Sequence, residues 1–165
     1  VYLSRRTRRR FNSGEYRLTA DSAFEQVVQA CSEPRDDESG TWITHDMIDA
    51  YGRLHSMGYA HSVEVWRDND LAGGIYGLAI GSVFFGESMF SRQTDGSKIA
   101  LVALCKLLVG WNFGLLDCQV GNPHLYRMGA EDISRREFEL RLAELIPARH
   151  RTGSWRTSAD FDRRW

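Results

Sequence analysis

The chain has 165 residues, of which 42% are hydrophobic and 26% are charged, and its formal net charge is −1. This size and composition predict a globular domain with a hydrophobic core, and the charge balance gives no sign of a nucleic-acid or membrane partner. The three cysteines lack the close spacing of a disulfide framework or a zinc site. The chain shows neither a membrane-length apolar run nor a secretory leader, so we expect a cytoplasmic protein.

Helical and strand patterns follow one another along the chain. Helices are predicted, from their periodicity or apolar continuity, at 19–33, 44–58, 97–113 and 134–146. Strands are predicted at 114–120 and at three stretches within 61–90. Turn residues at 68–70 and 81–82 separate those three stretches, which indicates an antiparallel meander.

This order of elements predicts an α/β fold with a mostly antiparallel central sheet flanked by helices. One parallel crossover joins the third strand of the meander, through the helix at 97–113, to the strand at 114–120. The arrangement resembles the acyltransferase fold of the GNAT type, in which two central strands splay and leave a cleft for the acyl donor. We expect a single domain over residues 1–147 and a basic C-terminal tail over residues 148–165.

Three polar side chains interrupt the apolar strands. Glu87 lies in "VFFGESMF" and is predicted to end the third strand, while Asp117 and Gln119 stand two apart on the next strand and are expected on one face. A carboxylate and an amide on an apolar wall could orient an amine and accept its proton. The alternative is a structural acid paired with Arg92 or Arg136.

Two further motifs admit an enzymatic and a structural explanation. Gln93-x-x-Gly96-x-Lys98 partly matches the pyrophosphate loop of CoA-dependent acyltransferases, and its alternative is an ordinary capped helix start. "GESMF" is similar to a nucleophile elbow without its final glycine. That motif would place Ser88, His61 and Asp117 in a hydrolase triad.

The basic residues concentrate at the two ends of the chain. Arginines crowd the first ten residues, where they form either a basic face for RNA or a solvated terminus: Arg5, Arg6, Arg8, Arg9 and Arg10. Trp42 follows a glycine just before a predicted helix, and it could stack on a base or pack in the core.

Several long segments resemble the leucyl/phenylalanyl-tRNA–protein transferases. They are "GTWIT", "AYGRLHSMGYAHSVEVW", "LAGGIYGLAIGSVFFGESMFSR", "SKIALVALC" and "LLDCQVGNPHLYRMGAEDISRREF". The resemblance is nearly collinear from about residue 1 to residue 140, and it implies that the chain begins within the second domain of the family. That family carries a GNAT-like domain, and it transfers leucine or phenylalanine from aminoacyl-tRNA to the α-amine of proteins that begin with lysine or arginine.

The resemblance also implies site residues. Asp117 and Gln119 match the catalytic "D-C-Q", and Glu87 matches an acid that helps to place the amine. The residues that match the walls of the family's aminoacyl pocket are Ile75, Phe84, Met89, Leu101, Leu104 and Leu116. Ile75 and Leu104 replace the methionine and phenylalanine that are common in the family. The residues that match the family's contacts with the tRNA acceptor end are Trp42 and the cluster Arg5, Arg6, Arg8, Arg9 and Arg10.

The chemistry fits this assignment, because an aminoacyl ester is already activated and its transfer to an amine needs no ATP, metal or other cofactor. Three alternatives stay open at this point. The chain could transfer an aminoacyl group from tRNA to a small-molecule amine, act as a CoA-dependent N-acyltransferase, or bind RNA without catalysis.

Overall fold

The computed structural model describes residues 1–34, 43–148, 151, 153–156 and 161. Within these ranges the helices are α1 (Arg5–Asn12), α2 (Phe24–Ser32), α3 (His45–Ser56), α4 (Gly96–Gly110), α5 (Pro123–Arg127) and α6 (Arg135–Leu145). The strands are β1 (Arg17–Ala20), β2 (Ala60–Arg67), β3 (Asp70–Ile80), β4 (Val83–Ser91) and β5 (Leu115–Asp117). None of the helices in the described ranges is long and apolar enough to cross a bilayer.

The described strands form one sheet in the order β1-β2-β3-β4-β5. Neighbouring strands are antiparallel except for β4 and β5, which run parallel. Asp68 and Gly81 occupy the two turns of the meander with φ angles of 55° and 60°, in the left-handed region that such turns require. The predicted meander and the parallel crossover are confirmed.

Helices cover both faces of the sheet, and each face has its own hydrophobic core. On one face the apolar helix α4 buries residues such as Ile99 and Leu104 against β2, β3 and β4. On the other face α2 and α3 pack Val27 and Tyr51 against the sheet. This layered α/β architecture is the GNAT-like fold that the order of elements predicts.

The structure differs from the predicted elements mainly at the N-terminal end. Helix α1 and strand β1 were not predicted, because α1 buries only Thr7 and Phe11 and β1 has four residues at the sheet edge. The helix predicted from residue 19 begins instead at Phe24. It begins late because Asp21 has a φ of 52° and its carboxylate accepts the backbone N–H of Ser62 on β2.

Part of the C-terminal segment packs on the domain. Trp155 is fully buried in the core on the α4 face, and Phe161 packs against the same core. The division into a domain at 1–147 and a tail at 148–165 stays a prediction, with Trp155 belonging to the hydrophobic core.

Candidate active site

The cleft of this protein opens where β4 and β5 part. Their parallel pairing ends at Phe85 and Asp117, whereas β4 continues to Ser91. Beyond that point lies a cavity of about 850 Å³, called the cleft below. Its walls include Ile75, Glu87, Met89, Leu101, Leu116 and His124. The predicted splaying of two central strands therefore has a counterpart in the structure.

A β-bulge sets the direction of Glu87. Gly77 on β3 pairs with Gly86, and Tyr76 pairs with Ser88, so that Glu87 is the extra residue on β4. Glu87 therefore lies inside a longer strand, where the sequence predicts that it ends one. A bulge interrupts the regular alternation of side chains, and it allows a half-buried carboxylate at a point where the pattern predicts an apolar wall.

Two buried tyrosines lie near the Glu87 carboxylate. Burial raises the pKa of Tyr51, on α3, and the nearby carboxylate of Glu87 adds to the effect. Burial also raises the pKa of Tyr76, with Cys31, Tyr51 and Glu87 adding to the effect. Within the described residues the Tyr76 hydroxyl has no hydrogen-bond partner, although it is fully buried. Both phenols therefore stay protonated near neutral pH.

Gln119 links the two strands at the point where they part. Its Nε2 donates to the carbonyl oxygen of Gly86 at 3.1 Å, directly beside Glu87. Its own backbone N–H donates to Oδ1 of Asp117 at 2.8 Å, and its φ is 61°. Because of this turn, Asp117 and Gln119 do not share one face of a strand as the spacing predicts. They are joined to each other and to β4 by hydrogen bonds.

A second cavity of about 710 Å³, called the side cavity below, lies on the other side of β5. Asp117 and Gln119 line the side cavity, whereas Glu87 lines the cleft. Both cavities share the wall formed by Leu101, Leu116, Cys118 and Leu125. The three predicted catalytic residues therefore line two adjoining cavities, and Gln119 bridges to β4 beside Glu87.

The predicted walls of the aminoacyl pocket fall into two layers. Ile75, Met89, Leu101 and Leu116 line the cleft itself. Phe84 and Leu104 are 1% exposed and lie in the core behind it. These two side chains can therefore act on a ligand through the residues in front of them.

The arginines of α1 are not equivalent. Arg5, Arg6, Arg8 and Arg9 are exposed. Arg10 instead binds Asp95, with Nη1 2.7 Å from Oδ2, and lies 3.4 Å from Glu15. The helix is anchored by its buried residues Thr7 and Phe11, so the remaining arginines face solvent.

The fold is similar to that of two solved aminoglycoside acetyltransferases from uncultured soil metagenomic samples. One of them, in complex with trehalose, has a TM-score of 0.53 at 10% identity over 73% of this chain and 93% of that chain. The other has a TM-score of 0.51 at 11% identity over 72% of this chain and 93% of that chain. At such low identity the likeness shows the fold alone.

Sequence comparison is far more specific. The family model described as leucyl/phenylalanyl-tRNA protein transferase matches residues 1–143. The chain belongs to this family. Its membership confirms the resemblance that the sequence motifs indicate.

Relatives of the transferase family cover nearly the whole chain. The leucyl/phenylalanyl-tRNA–protein transferase of Thiobacillus denitrificans is 52% identical over 94% of this chain, and that of Nitrosomonas europaea is 52% identical over 90%. The transferase of Alkalilimnicola ehrlichii is 48% identical over 98% of this chain. The chain spans 68%, 64% and 63% of the length of these three proteins, respectively.

Two alternatives for the site, the hydrolase triad and the structural ion pair of Glu87, are wrong. His61 binds Asp21 at 2.9 Å and is fully buried, so it does not form a triad with Ser88 and Asp117. Arg92 binds Glu33 at 2.5 Å. Within the described ranges no ion pair involves Glu87, which excludes a structural pair with either proposed arginine.

Sequence reasoning missed several residues of the site. The sequence pattern singles out neither Tyr51 nor Tyr76, because their proximity to Glu87 depends on how α3 and β3 pack in the folded domain. His124 lines the cleft, and burial followed by the nearby charges of Lys98 and Arg127 lowers its pKa. Trp42 lies outside the described residues, so its predicted stacking role stays a prediction.

Proposed function

We propose that this chain is an aminoacyltransferase that moves leucine or phenylalanine from aminoacyl-tRNA to the α-amine of a protein beginning with lysine or arginine. The observation that carries the proposal is the junction at which Gln119 bonds to Gly86 beside Glu87, in a chain of this transferase family. Charged tRNA is a cytoplasmic substrate, so we place the reaction in the cytoplasm.

The cleft suits an aminoacyl side chain beside a cationic amine. Ile75, Met89, Leu101 and Leu116 provide apolar surface for leucine or phenylalanine. Glu87 provides the negative charge for an ammonium group, and the Tyr51 hydroxyl lies near its carboxylate. An apolar pocket separates side chains that differ by one methylene by only about 1–3 kcal/mol, so selectivity among aliphatic donors is expected to be modest.

The reaction needs positioning and two proton movements. The ammonium group first gives up one proton, and its nitrogen then bonds to the ester carbonyl carbon while the bond to the tRNA 3′ oxygen breaks. The nitrogen loses a second proton and the tRNA hydroxyl gains one. We assign the placement of the ester and the amine to Gln119, whose amide is held at Gly86 within β4. We assign steering or deprotonation of the amine to the half-buried carboxylate of Asp117.

The exposed arginines of α1 suit the phosphates of the tRNA acceptor stem. We assign this contact to Arg5, Arg6, Arg8 and Arg9, because Arg10 forms an ion pair with Asp95. Phosphate contacts of this kind make binding fall steeply as salt rises.

The alternative of a CoA-dependent acyltransferase is disfavoured by the start of α4. An Asp95 carboxylate, 8% exposed, lies at this helix N-terminus between Arg10 and Lys98. Burial raises its pKa, but the hydrogen bond and charge of Lys98, followed by the charge of Arg10, outweigh burial and hold the pKa below its usual value. A helix N-terminus attracts anions, and a carboxylate already there opposes a pyrophosphate.

The test is transfer of radiolabelled amino acid from a panel of charged tRNAs to a peptide that begins with arginine, with a small-molecule amine extract in parallel. We expect label to move from leucyl- or phenylalanyl-tRNA to the peptide. A matched peptide with an acetylated N-terminus is the control and receives none. Label on small amines only would show a biosynthetic transferase, and label on neither acceptor would favour an RNA-binding module. Either result contradicts the proposal.

A further inference from the structure

The C-terminal segment at 153–156 is fixed to the domain by close contacts. A Cβ added at Gly58, whose φ is +80°, would lie 2.7 Å from the backbone nitrogen of Gly153. The backbone N–H of Trp155 donates to Oδ2 of Asp21 at 2.6 Å, and the Trp155 side chain is 0% exposed. The segment therefore inserts one large side chain at a defined depth in the core.

The plane of the Trp155 indole is set by His61. The two rings stack with centroids 3.9 Å apart and an interplanar angle of 3°. His61 is held at both nitrogens, with Nδ1 2.9 Å from Oδ2 of Asp21 and Nε2 3.1 Å from the carbonyl oxygen of Gly58. A ring fixed in this way provides a rigid surface for the indole.

Beyond the indole lies Phe84, which the family resemblance assigns to the aminoacyl pocket. The rings of Trp155 and Phe84 have centroids 5.6 Å apart. Gly77 also packs against this phenyl ring, because a Cβ at Gly77 would lie 2.6 Å from Cε1 of Phe84. Phe84 is therefore confined by Gly77 and Trp155. Its partner across β4 and β5 is Leu116, which lines the cleft.

We propose that Trp155 is a positioning residue for the aminoacyl side chain. It holds Phe84 behind the cleft wall and so sets the depth of the cleft and the size of the donor side chain. This inference rests on the proposed function and deepens it. It assigns donor selectivity in part to a residue that lies behind the cleft wall and outside the residues matched by the family model.

Replacing the indole by a smaller side chain frees volume under Phe84. Since core packing is dense, Phe84 then relaxes toward the vacated space and the cleft deepens. A difference of one methylene in an apolar pocket changes specificity by roughly 10- to 200-fold. We expect Trp155→Leu to raise the ratio of kcat/KM for phenylalanyl-tRNA over leucyl-tRNA about 10-fold, and Trp155→Phe to raise it less.

The experiment compares these two variants with Arg151→Ala in the 165-residue chain. The Arg151 guanidinium lies 4.0 Å from the centroid of the Trp111 ring, so Arg151→Ala alters the same segment without removing the indole. Two ratios are measured for each variant. One is the kcat/KM ratio for the two charged tRNAs, and the other is the Kd ratio for adenosine amides that carry a phenylalanyl or a leucyl group. Thermal unfolding identifies the folded variants, and Trp155→Phe decides the question if Trp155→Leu does not fold.

The expected result is a shift of both ratios in the Trp155 variants and wild-type ratios in Arg151→Ala. Unchanged ratios in a folded Trp155 variant, or an equal shift in Arg151→Ala, would overturn the inference. Shifted Kd ratios without transfer by the wild-type chain would support the inference and contradict the proposed function. A wild-type chain that binds neither adenosine amide would overturn both.

Discussion

Gly77 is the position at which a single methyl group should disturb the site most directly. A Cβ at Gly77 would lie 2.1 Å from the carbonyl oxygen of Phe85 and 2.6 Å from Cε1 of Phe84. The first of these atoms belongs to the backbone of β4, one residue before the Gly86 carbonyl that binds Gln119. Backbone cannot rotate away as a flexible side chain can, so Gly77→Ala must displace β4 by about 1 Å to regain van der Waals distance.

The magnitude of the effect follows from that displacement. Overpacking of this kind costs about 1–3 kcal/mol, and for a domain of this size about 2 kcal/mol lowers the Tm by roughly 4–8 °C. A misplacement of about 1 Å at the reacting groups lowers the rate by about 10²-fold. Thermal unfolding and kcat/KM for transfer to the arginine peptide measure the two effects.

Gly52 provides the matched control for this substitution. It lies within α3, and no atom would lie within 4 Å of an added Cβ. Gly52→Ala should therefore raise stability by about 0.5–1 kcal/mol, because alanine favours helix, and leave transfer unchanged. A Gly77→Ala variant with wild-type Tm and wild-type kcat/KM would show that the added methyl group does not displace β4.

Three further predictions concern a buried phenol, a surface charge and a buried acid. Tyr51→Phe removes the phenol hydroxyl near the Glu87 carboxylate, so KM for the peptide should rise several-fold with KM for tRNA unchanged; equal changes in both would contradict this role. Arg8→Ala should weaken tRNA binding and reduce its salt dependence by about one phosphate contact, whereas Arg10→Ala should leave that dependence unchanged, as binding titrations at several salt concentrations can show. Burial raises the pKa of Glu64, so the contribution of its protonated form to stability is full below the ordinary carboxyl pKa and is lost as pH rises through the raised value. Glu64→Gln should therefore become more stable relative to wild type over that pH range. Free energies of unfolding in urea that depend on pH equally in the two proteins would contradict this prediction.

Local signals explain why the central part of the fold is predictable. The meander is set by alternation and by turn residues such as Asp68 and Gly81, whose left-handed backbone belongs to the turns themselves. The apolar helix α4 and its parallel crossover follow from the long run of hydrophobic residues. By contrast, α1 has a mostly polar sequence that does not predict its packing, because only Thr7 and Phe11 are buried.

The geometry of the site depends on contacts that spacing does not encode. The bulge at Glu87 exists only in the register between β3 and β4. The turn at Gln119 removes it from the strand, so the period-2 rule fails there. Trp155 reaches the core from a segment whose composition is typical of a solvated tail. The site residue types were recognisable from the sequence, whereas their arrangement requires the packed sheet.

We propose that Glu87 lies in the cleft because it holds the cationic amine. The most direct measurement is the kcat/KM of Glu87→Gln for the arginine peptide, with leucyl-tRNA saturating. Glu33→Gln is the matched control, since Glu33 lines the same cleft but its carboxylate binds Arg92. We expect Glu87→Gln to lose at least about 10-fold, comparable to the loss of a charge-assisted hydrogen bond, and Glu33→Gln to stay near wild type. Equal kcat/KM values for Glu87→Gln and the wild-type chain would contradict the account.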